Sequence, residues 1–186
     1  MAKKIFFLII IVLLLAGGGV FWWWQNQEDI RELNKNLPEG VKVVKNLKGE
    51  YWVVNKIDGY EFRVPEKWEG VKEIEYISER KVEGYVVKSL DIIGLEGEAR
   101  GVSIDIYRIS QAEQDLDLWA KQLFETFDLA GLFQKEILGS LEIIKTKEDQ
   151  HLGGVNIFFM KADLKIYVFT GGSEEYIREI IISGKW

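Results

Sequence analysis

The residues best suited to acid–base chemistry or metal binding lie together in the segment KEDQHLGG. His151 is the only histidine of the 186-residue chain, and Glu148 and Asp149 come just before it. A hydrolase triad needs a histidine to relay a proton, and a closed metal site needs ligands from more than one segment. The sequence shows neither a nucleophile elbow nor a second ligand cluster. We therefore expect His151 to face solvent in a hairpin loop, and we predict no catalytic residue, no metal site and no cofactor.

Two carboxylates, Asp115 and Asp117, are separated by a single leucine. The pattern SQAEQDLDLWAKQLFETF around them predicts a helix over 111–127, opened by Ser110 and Glu113 as a capping box. Side chains two residues apart on a helix point away from each other, so we do not expect the two carboxylates to form a catalytic pair. We expect them instead to interact favourably with the positive N-terminal end of the helix dipole. The apolar face of this helix contains Leu116, Trp119, Ala120, Leu123 and Phe127.

A glycine-rich segment and a group of aromatic residues are the remaining candidates. GLEGEARG (94–101) has three glycines, but it lacks a lysine and leads into a strand, so we interpret it as a sheet loop and not as a phosphate-binding loop. Tyr51, Trp52 and Trp68 lie near predicted turns. Two interpretations of these three aromatic side chains remain: they pack in the core, or they line a binding groove.

Composition excludes several classes of function. The chain carries a net charge of -6 and contains no cysteine. The absence of cysteine rules out disulfides and a thiol nucleophile. An acidic chain without a cluster of lysine or arginine is a poor binder of nucleic acid, because phosphate contacts need positive charge.

The N-terminal segment has the composition of a membrane anchor. An uncharged run extends from Ile5 to Trp24, and at about 1.5 Å per residue it matches the thickness of a bilayer's hydrocarbon, roughly 30 Å. It ends in three tryptophans, as an interfacial aromatic belt does, and it follows Lys3 and Lys4. We predict that residues 1–24 form a single-pass transmembrane helix at the cell membrane, with a cytoplasmic N-terminus and the C-terminal domain outside.

Two kinds of processing compete with the uncut anchor. Leu15, Ala16 and Gly17 resemble the start of a lipoprotein box, but Gly18 stands where the lipidated cysteine belongs, so lipidation is excluded. Cleavage by a signal peptidase stays open, because Ala16 and Gly18 are small residues at the spacing that such enzymes prefer.

The rest of the chain divides into a short stalk helix or linker (25–38), which Pro38 ends, and one domain (39–186). In the domain, YWVVN (51–55) and YEFRV (60–64) flank the turn KIDG, and Tyr60, Phe62 and Val64 alternate with charged residues as in a half-buried strand. Short strands with short turns predict antiparallel pairing, and a final helix is predicted to begin at Ser173. The fold class that we predict is α+β, a central antiparallel sheet sandwiched by helices (α/β/α) and preceded by the transmembrane helix.

Three segments resemble PsbP-like proteins: GYEFRVPEKWEG (59–70), LDLWAKQL (116–123) and LKIYVFTGGSEEYIREIIISGKW (164–186). They are similar to that family's opening strand, middle helix and ending, in the same order over residues 51–186. The resemblance implies an antiparallel sheet between helices, a fold shared with a Mog-type factor that binds the small GTPase Ran. It also implies binding of other macromolecules, and not catalysis.

These observations favour a membrane-tethered extracytoplasmic binding or assembly module that is not an enzyme. Its expected partners are the membrane, through the N-terminal helix, and another envelope or membrane protein, but not nucleic acid. Two alternatives stay open: an envelope hydrolase with paired carboxylates, and a carrier of a small apolar ligand.

Overall fold

The computed structural model describes residues 28–65, 71, 73–82, 85–93, 101–110, 115–126, 133–146 and 154–186. Within these ranges, helix α1 covers residues 28–34, and helices α2 and α3 span Leu116–Thr126 and Glu174–Ser183. The strands of the same ranges are β1 Val41–Lys45, β2 Tyr51–Asn55, β3 Tyr60–Arg63, β4 Glu73–Val82, β5 Tyr85–Ile93, β6 Val102–Arg108, β7 Phe133–Leu138, β8 Leu141–Thr146, β9 Asn156–Ala162 and β10 Lys165–Gly171.

The strands form two antiparallel sheets. The small sheet has the order β1-β2-β3, and the large sheet has seven described strands in the order β4-β5-β6-β10-β9-β8-β7. Most neighbours in each sheet follow one another along the chain, as short hairpin connections require. The exception is β10, which lies between β6 and β9 at the centre of the large sheet.

The two faces of the large sheet are buried in two hydrophobic clusters, because successive side chains of a strand point to opposite faces. We name the first the inter-sheet core. In β6, Ile104 and Ile106 belong to the inter-sheet core, whereas Tyr107 belongs to the other face. The inter-sheet core also holds residues of the small sheet and of α3, among them Val43, Val53, Phe62, Ile177, Ile180 and Ile181.

The second cluster lies under α2, and we name it the α2 core. Leu116, Trp119 and Ala120 of α2 are buried there, as the helical periodicity predicted. The ring of Trp119 packs edge-on against that of Tyr107, with the ring centroids 5.0 Å apart. This cluster uses hydrophobic residues from five strands of the large sheet, including Ile144, Phe159, Ile166 and Val168.

The predicted α/β/α sandwich is wrong. In the described chain, one face of the large sheet is covered largely by the small sheet, so the layer contains strands where only helices were predicted. The cause is β1, whose pairing with β2 turns the β2–β3 hairpin into a separate three-stranded sheet. The result is a mostly β structure with three short helices in its described part.

The prediction of a single-pass protein at the cell membrane, with an outward-facing domain, is also contradicted. No helix in the described ranges has the length and apolar composition needed to cross a bilayer. Helix α2, with 11 residues, is about 16 Å long, roughly half of the hydrocarbon thickness. Residues 1–24, to which the anchor was assigned, lie outside the described residues.

Several of the predicted elements are confirmed. Strands β2 and β3 occupy the predicted segments, and Tyr60, Phe62 and Val64 are buried. They face the inter-sheet core beside α3, not α2. Helix α3 begins after Ser173, whose hydroxyl accepts a hydrogen bond from the backbone N–H of Tyr176 at 3.3 Å.

Helix α1 is fastened to the small sheet by one side chain. The amide of Asn34 donates to the carbonyl of Val43 at 2.9 Å and accepts from the N–H of Val43 at 2.7 Å. Leu33, on the same helix, is buried in the inter-sheet core. The segment before β1 therefore packs against the sheet along its last helical turn.

Candidate functional site

The segment considered for acid–base or metal chemistry, for which a solvent-facing loop is predicted instead, lies outside the described residues. This holds for Glu148, Asp149 and His151, and also for Trp68 and for residues 94–100 of the glycine-rich segment. Among the residues that the structure describes, no group of three or more His, Cys, Asp or Glu side chains is arranged to hold a metal ion.

The two carboxylates of the α2 region have structural partners. Asp115 caps α2, because its Oδ1 accepts the backbone N–H groups of Asp117 at 2.9 Å and of Leu118 at 3.3 Å. Asp117 binds the ammonium of Lys135 at 2.6 Å and so links α2 to β7. The predicted capping box at Ser110 is therefore corrected: the described helix begins at Leu116 and its cap is Asp115.

The last glycine of GLEGEARG has a backbone role. Gly101 adopts a φ of +89°, and a Cβ at this position would lie 2.3 Å from the carbonyl oxygen of Ile92. Only glycine fits such a close approach of β6 to β5. This explains one glycine of the segment without a ligand.

For Tyr51 and Trp52 the sequence allows either core packing or a position in a binding groove. Tyr51 is half-buried and packs against the inter-sheet core, and the ammonium of Lys45 lies 4.9 Å from its ring centroid. Trp52 is half-buried as well. For Tyr51 the structure therefore favours core packing with a cation–π contact at its edge.

The main polar cluster that the two sheets share is centred on Asp58. Asp58 lies in the turn between β2 and β3, and its side chain is 1% exposed. Asn55 shapes the turn, because its Oδ1 accepts the N–H of Asp58 at 2.9 Å. Its Nδ2 also donates to the Asp58 carboxylate at 3.0 Å. The turn therefore points a carboxylate into the space between the sheets.

The large sheet supplies the partners of this carboxylate. The hydroxyl of Tyr76, from β4, donates to Oδ2 at 2.7 Å, and the ammonium of Lys88, from β5, donates to Oδ1 at 2.7 Å. Lys165, from β10, donates to the backbone carbonyl of Asp58. Three strands of the large sheet are thus fastened to one turn of the small sheet. We call Asn55, Asp58, Tyr76, Lys88 and Lys165 the Asp58 cluster.

The electrostatics of the Asp58 cluster fix the protonation states of Asp58 and Tyr76. Burial alone would raise the pKa of Asp58, but hydrogen bonds from Lys88, Tyr76 and Asn55 outweigh it, and the pKa lies below its ordinary value. Burial, followed by the hydrogen bond to Asp58, raises the pKa of Tyr76. At neutral pH the carboxylate is therefore ionised and the phenol is protonated.

Two further tyrosines lie beside the cluster. Burial raises the pKa of Tyr167 to about 12, and burial also raises that of Tyr60. The hydroxyl of Tyr60 is buried and has no hydrogen-bond partner in the described chain. Because the pKa of Asp58 is lowered and those of Tyr60, Tyr76 and Tyr167 are raised, these four groups are poorly matched to acid–base catalysis at neutral pH.

A row of cations, two exposed and one half-buried, lies at the same end of the large sheet. Lys165 and Arg108 are cross-strand partners in β10 and β6, so their side chains share a face. Lys81 of β4 pairs with Val86 of β5. By alternation along their strands, these residues lie on the face of the inter-sheet core, and the charge of Arg108 acts on the hydroxyl of Tyr76. We call Lys81, Arg108 and Lys165 the basic rim.

Apolar side chains accompany the basic rim. Val86 is 51% exposed and lies in the strand between Lys81 and Arg108. Leu164, 51% exposed, precedes Lys165, and Ile57, 41% exposed, precedes Asp58. The surface next to the Asp58 cluster therefore combines positive charge with exposed apolar area.

Sequence reasoning missed the Asp58 cluster. One local signal was present, since Asn55, Asp58 and Gly59 have the spacing of an Asx-stabilised turn. Tyr76 and Lys88 follow Asp58 by 18 and 30 residues and belong to the other sheet. No local pattern indicates that pairing.

No protein-family model matches the chain, and neither a curated protein nor a solved structure matches it. The resemblance to PsbP-like proteins rests on the three quoted segments alone and stays a prediction.

Proposed function

We propose that this chain is a binding or assembly module that contacts another protein through the surface formed by the basic rim and its apolar neighbours. The observation that supports this proposal is the exposure of Val86 beside the cations of a chain whose net charge is -6. Exposed apolar area beside an arginine is found at protein–protein contacts, where arginine is enriched although lysine is depleted. The Asp58 cluster would hold this surface rigid.

A hydrolase with paired carboxylates gains no support from the described residues. Glu136 and Glu174 both bind Arg178, at 2.6 and 2.7 Å. Hydrogen bonds from Arg178 lower the pKa of Glu136. Burial alone would raise the pKa of Glu174, but hydrogen bonds from Lys145 and Arg178 lower it. A glycosidase-type pair needs one carboxyl group with a raised pKa as the acid, so this pair is unsuited to the reaction.

A carrier of a small apolar ligand would need an open aromatic pocket. The main aromatic group between the sheets is instead packed around Trp186, whose ring centroid lies 5.0 Å from that of Tyr167 and 5.2 Å from that of Phe169. The indole N–H donates to the carbonyl of Ile181 at 3.1 Å. Trp186 occupies this part of the space between the sheets, so this aromatic group gives the carrier no support.

Site-specific photo-crosslinking in the native cells tests the proposal. A photoreactive amino acid replaces Val86 in the full chain, and the matched control carries it at Leu118, which is 56% exposed on α2. We expect a discrete protein adduct from position 86 and not from position 118. Equal adducts at both positions, or none at position 86, would overturn the proposal.

A further inference from the structure

We infer that the basic rim binds an acidic polypeptide segment that presents carboxylates and bulky apolar side chains in alternation along one face. This inference rests on the proposed function and adds the chemistry of the partner. It starts from the positions of the side chains: in the order of the strands, the surface presents Lys81, Val86, Arg108 and Lys165. Along this row, apolar Val86 therefore lies between the cations Lys81 and Arg108, and Lys165 adds a third cation next to Arg108.

The cations of the basic rim have N–H hydrogen-bond donors that a ligand can use. Lys81 and Arg108 are exposed, and within the described chain neither is paired with a carboxylate. Lys165 uses one donor on the carbonyl of Asp58, and an ammonium carries three. The charge of Asp58 is already matched by Lys88. Asp163, in the turn before β10, is a described carboxylate next to this surface, and it leaves the three rim cations in excess.

The spacing of the charges favours a polypeptide over other anions. Neighbouring strands lie about 4.8 Å apart, so Lys81 and Arg108, two strands apart, are separated by roughly 10 Å at the backbone. Neighbouring side chains on one face of an extended peptide lie roughly 7 Å apart, so two carboxylates on either side of an apolar side chain lie roughly 13 Å apart, and long lysine and arginine side chains reach across the difference. The carboxylates of such a peptide would meet the cations, and the apolar side chain between them would meet Val86.

Nucleic acid and anionic lipid fit this surface less well. Both are dense arrays of phosphate, and their affinity for a protein rises with the local density of lysine and arginine and with positive net charge. The rim has three cations on a chain with a net charge of -6. The field of the rim acts within about one Debye length, roughly 10 Å at 0.1 M salt; a short acidic segment lies within this range, whereas a polyanion also extends over the acidic remainder of the chain.

Fluorescence anisotropy with a defined probe tests the inference. The probe is a labelled nine-residue peptide in which the residues of one face, at every second position, are alternately Glu and Leu with Thr between them, and the control peptide carries Gln in place of Glu. We expect the full chain to bind the Glu–Leu peptide at least tenfold more tightly than the Gln–Leu peptide. The double variant Lys81→Glu and Arg108→Glu should lose at least tenfold in affinity. Both side chains are exposed, so an unchanged thermal midpoint checks that the variant is folded.

The matched control is Lys121→Glu, which reverses one exposed charge on α2 and should leave binding unchanged. Equal binding of both peptides, an unaffected rim variant, or tighter binding of an oligonucleotide or of anionic vesicles than of the Glu–Leu peptide would each overturn the inference. The Glu–Leu peptide should also suppress the crosslink formed at position 86. If that crosslink forms but the peptide does not suppress it, the proposed function stands and the acidic partner is wrong.

Discussion

Asp58 keeps its negative charge in a nearly dry position because donors are fixed around it. Lys88, Tyr76 and Asn55 each bind its carboxylate within 3.0 Å. Taking a carboxylate out of water costs several kcal/mol, and such a group is stable only when its lone pairs are satisfied. Removing any one of these partners should therefore lower the free energy of unfolding, and single substitutions can measure this loss for each partner.

Replacing Lys88 with Met should destabilise the fold by about 3 kcal/mol at neutral pH, because it leaves the buried Asp58 carboxylate without its cation. Methionine keeps most of the apolar stem, so the change isolates the charge. Urea unfolding measures the effect, with Lys56→Met, an exposed neighbour in the same turn, as the control within about 0.5 kcal/mol. A loss in Lys88→Met no larger than that of the control would show that the pair carries little energy.

The same carboxylate predicts a dependence on pH. The pKa of Asp58 is lower in the folded chain than its ordinary value, so the stability that it contributes is present above about pH 4 and is lost as the pH falls through the folded pKa. Asp58→Asn removes this contribution at every pH. The difference in unfolding free energy between the native chain and Asp58→Asn should therefore shrink as the pH is lowered from 7 to 3. Urea unfolding at several pH values checks this, and a constant difference would mean that Asp58 carries no such shift.

Single elements differ in how well their sequences reveal them. The alternation Tyr60, Phe62, Val64 identified β3 and its buried face, because one side of that strand faces the core. Strand β7 was missed, since FQKEIL places polar side chains on both faces, as an edge strand can. The spacing of Ser110 and Glu113 predicts a capping box and a helix that begins after Ser110. In the structure Asp115 provides the cap of α2.

Phe62 tests the assignment of β3 to the inter-sheet core. Its side chain is fully buried and its ring stacks with that of Trp186, with the centroids 5.8 Å apart. Phe62→Ala should cost about 3–5 kcal/mol, from lost burial and the cavity left behind. Chemical denaturation measures the loss, and Leu118→Ala, at a side chain 56% exposed on α2, should change the unfolding free energy by less than about 0.5 kcal/mol. A loss at Phe62 as small as that of the control would place it outside the core.

Across the whole molecule, the sequence indicated antiparallel strands but not their division into two sheets. Pairing between neighbouring hairpins follows from short connections, whereas the position of β10 between β6 and β9 depends on contacts far apart along the chain. The Asp58 cluster was hidden for the same reason, because it joins a turn of the small sheet to β4, β5 and β10. Local periodicity reports which face of a strand is buried, but not which other element buries it.

This arrangement predicts an order of local stability. Strand β10 has neighbours on both edges and is buried on both faces: Ile166 contributes to the α2 core, and Tyr167 and Phe169 to the inter-sheet core. Its amide hydrogens can exchange only when both cores open, so β10 and its neighbour β6 should show the slowest exchange of the chain. Strands β4 and β7, at the two edges of the described sheet, should exchange faster.

Hydrogen–deuterium exchange followed by mass spectrometry measures this order peptide by peptide. In Phe62→Ala, protection should fall in β3 and in β10 together, because both contribute to the inter-sheet core. Leu118→Ala should leave both strands unchanged, since that side chain is exposed. Slow exchange in β4 or β7 equal to that in β10 would show that the edges are protected by a further element. Loss of protection in β3 alone would show that the small sheet opens independently of the large one, and would remove the basis for treating the Asp58 cluster as the joint between them.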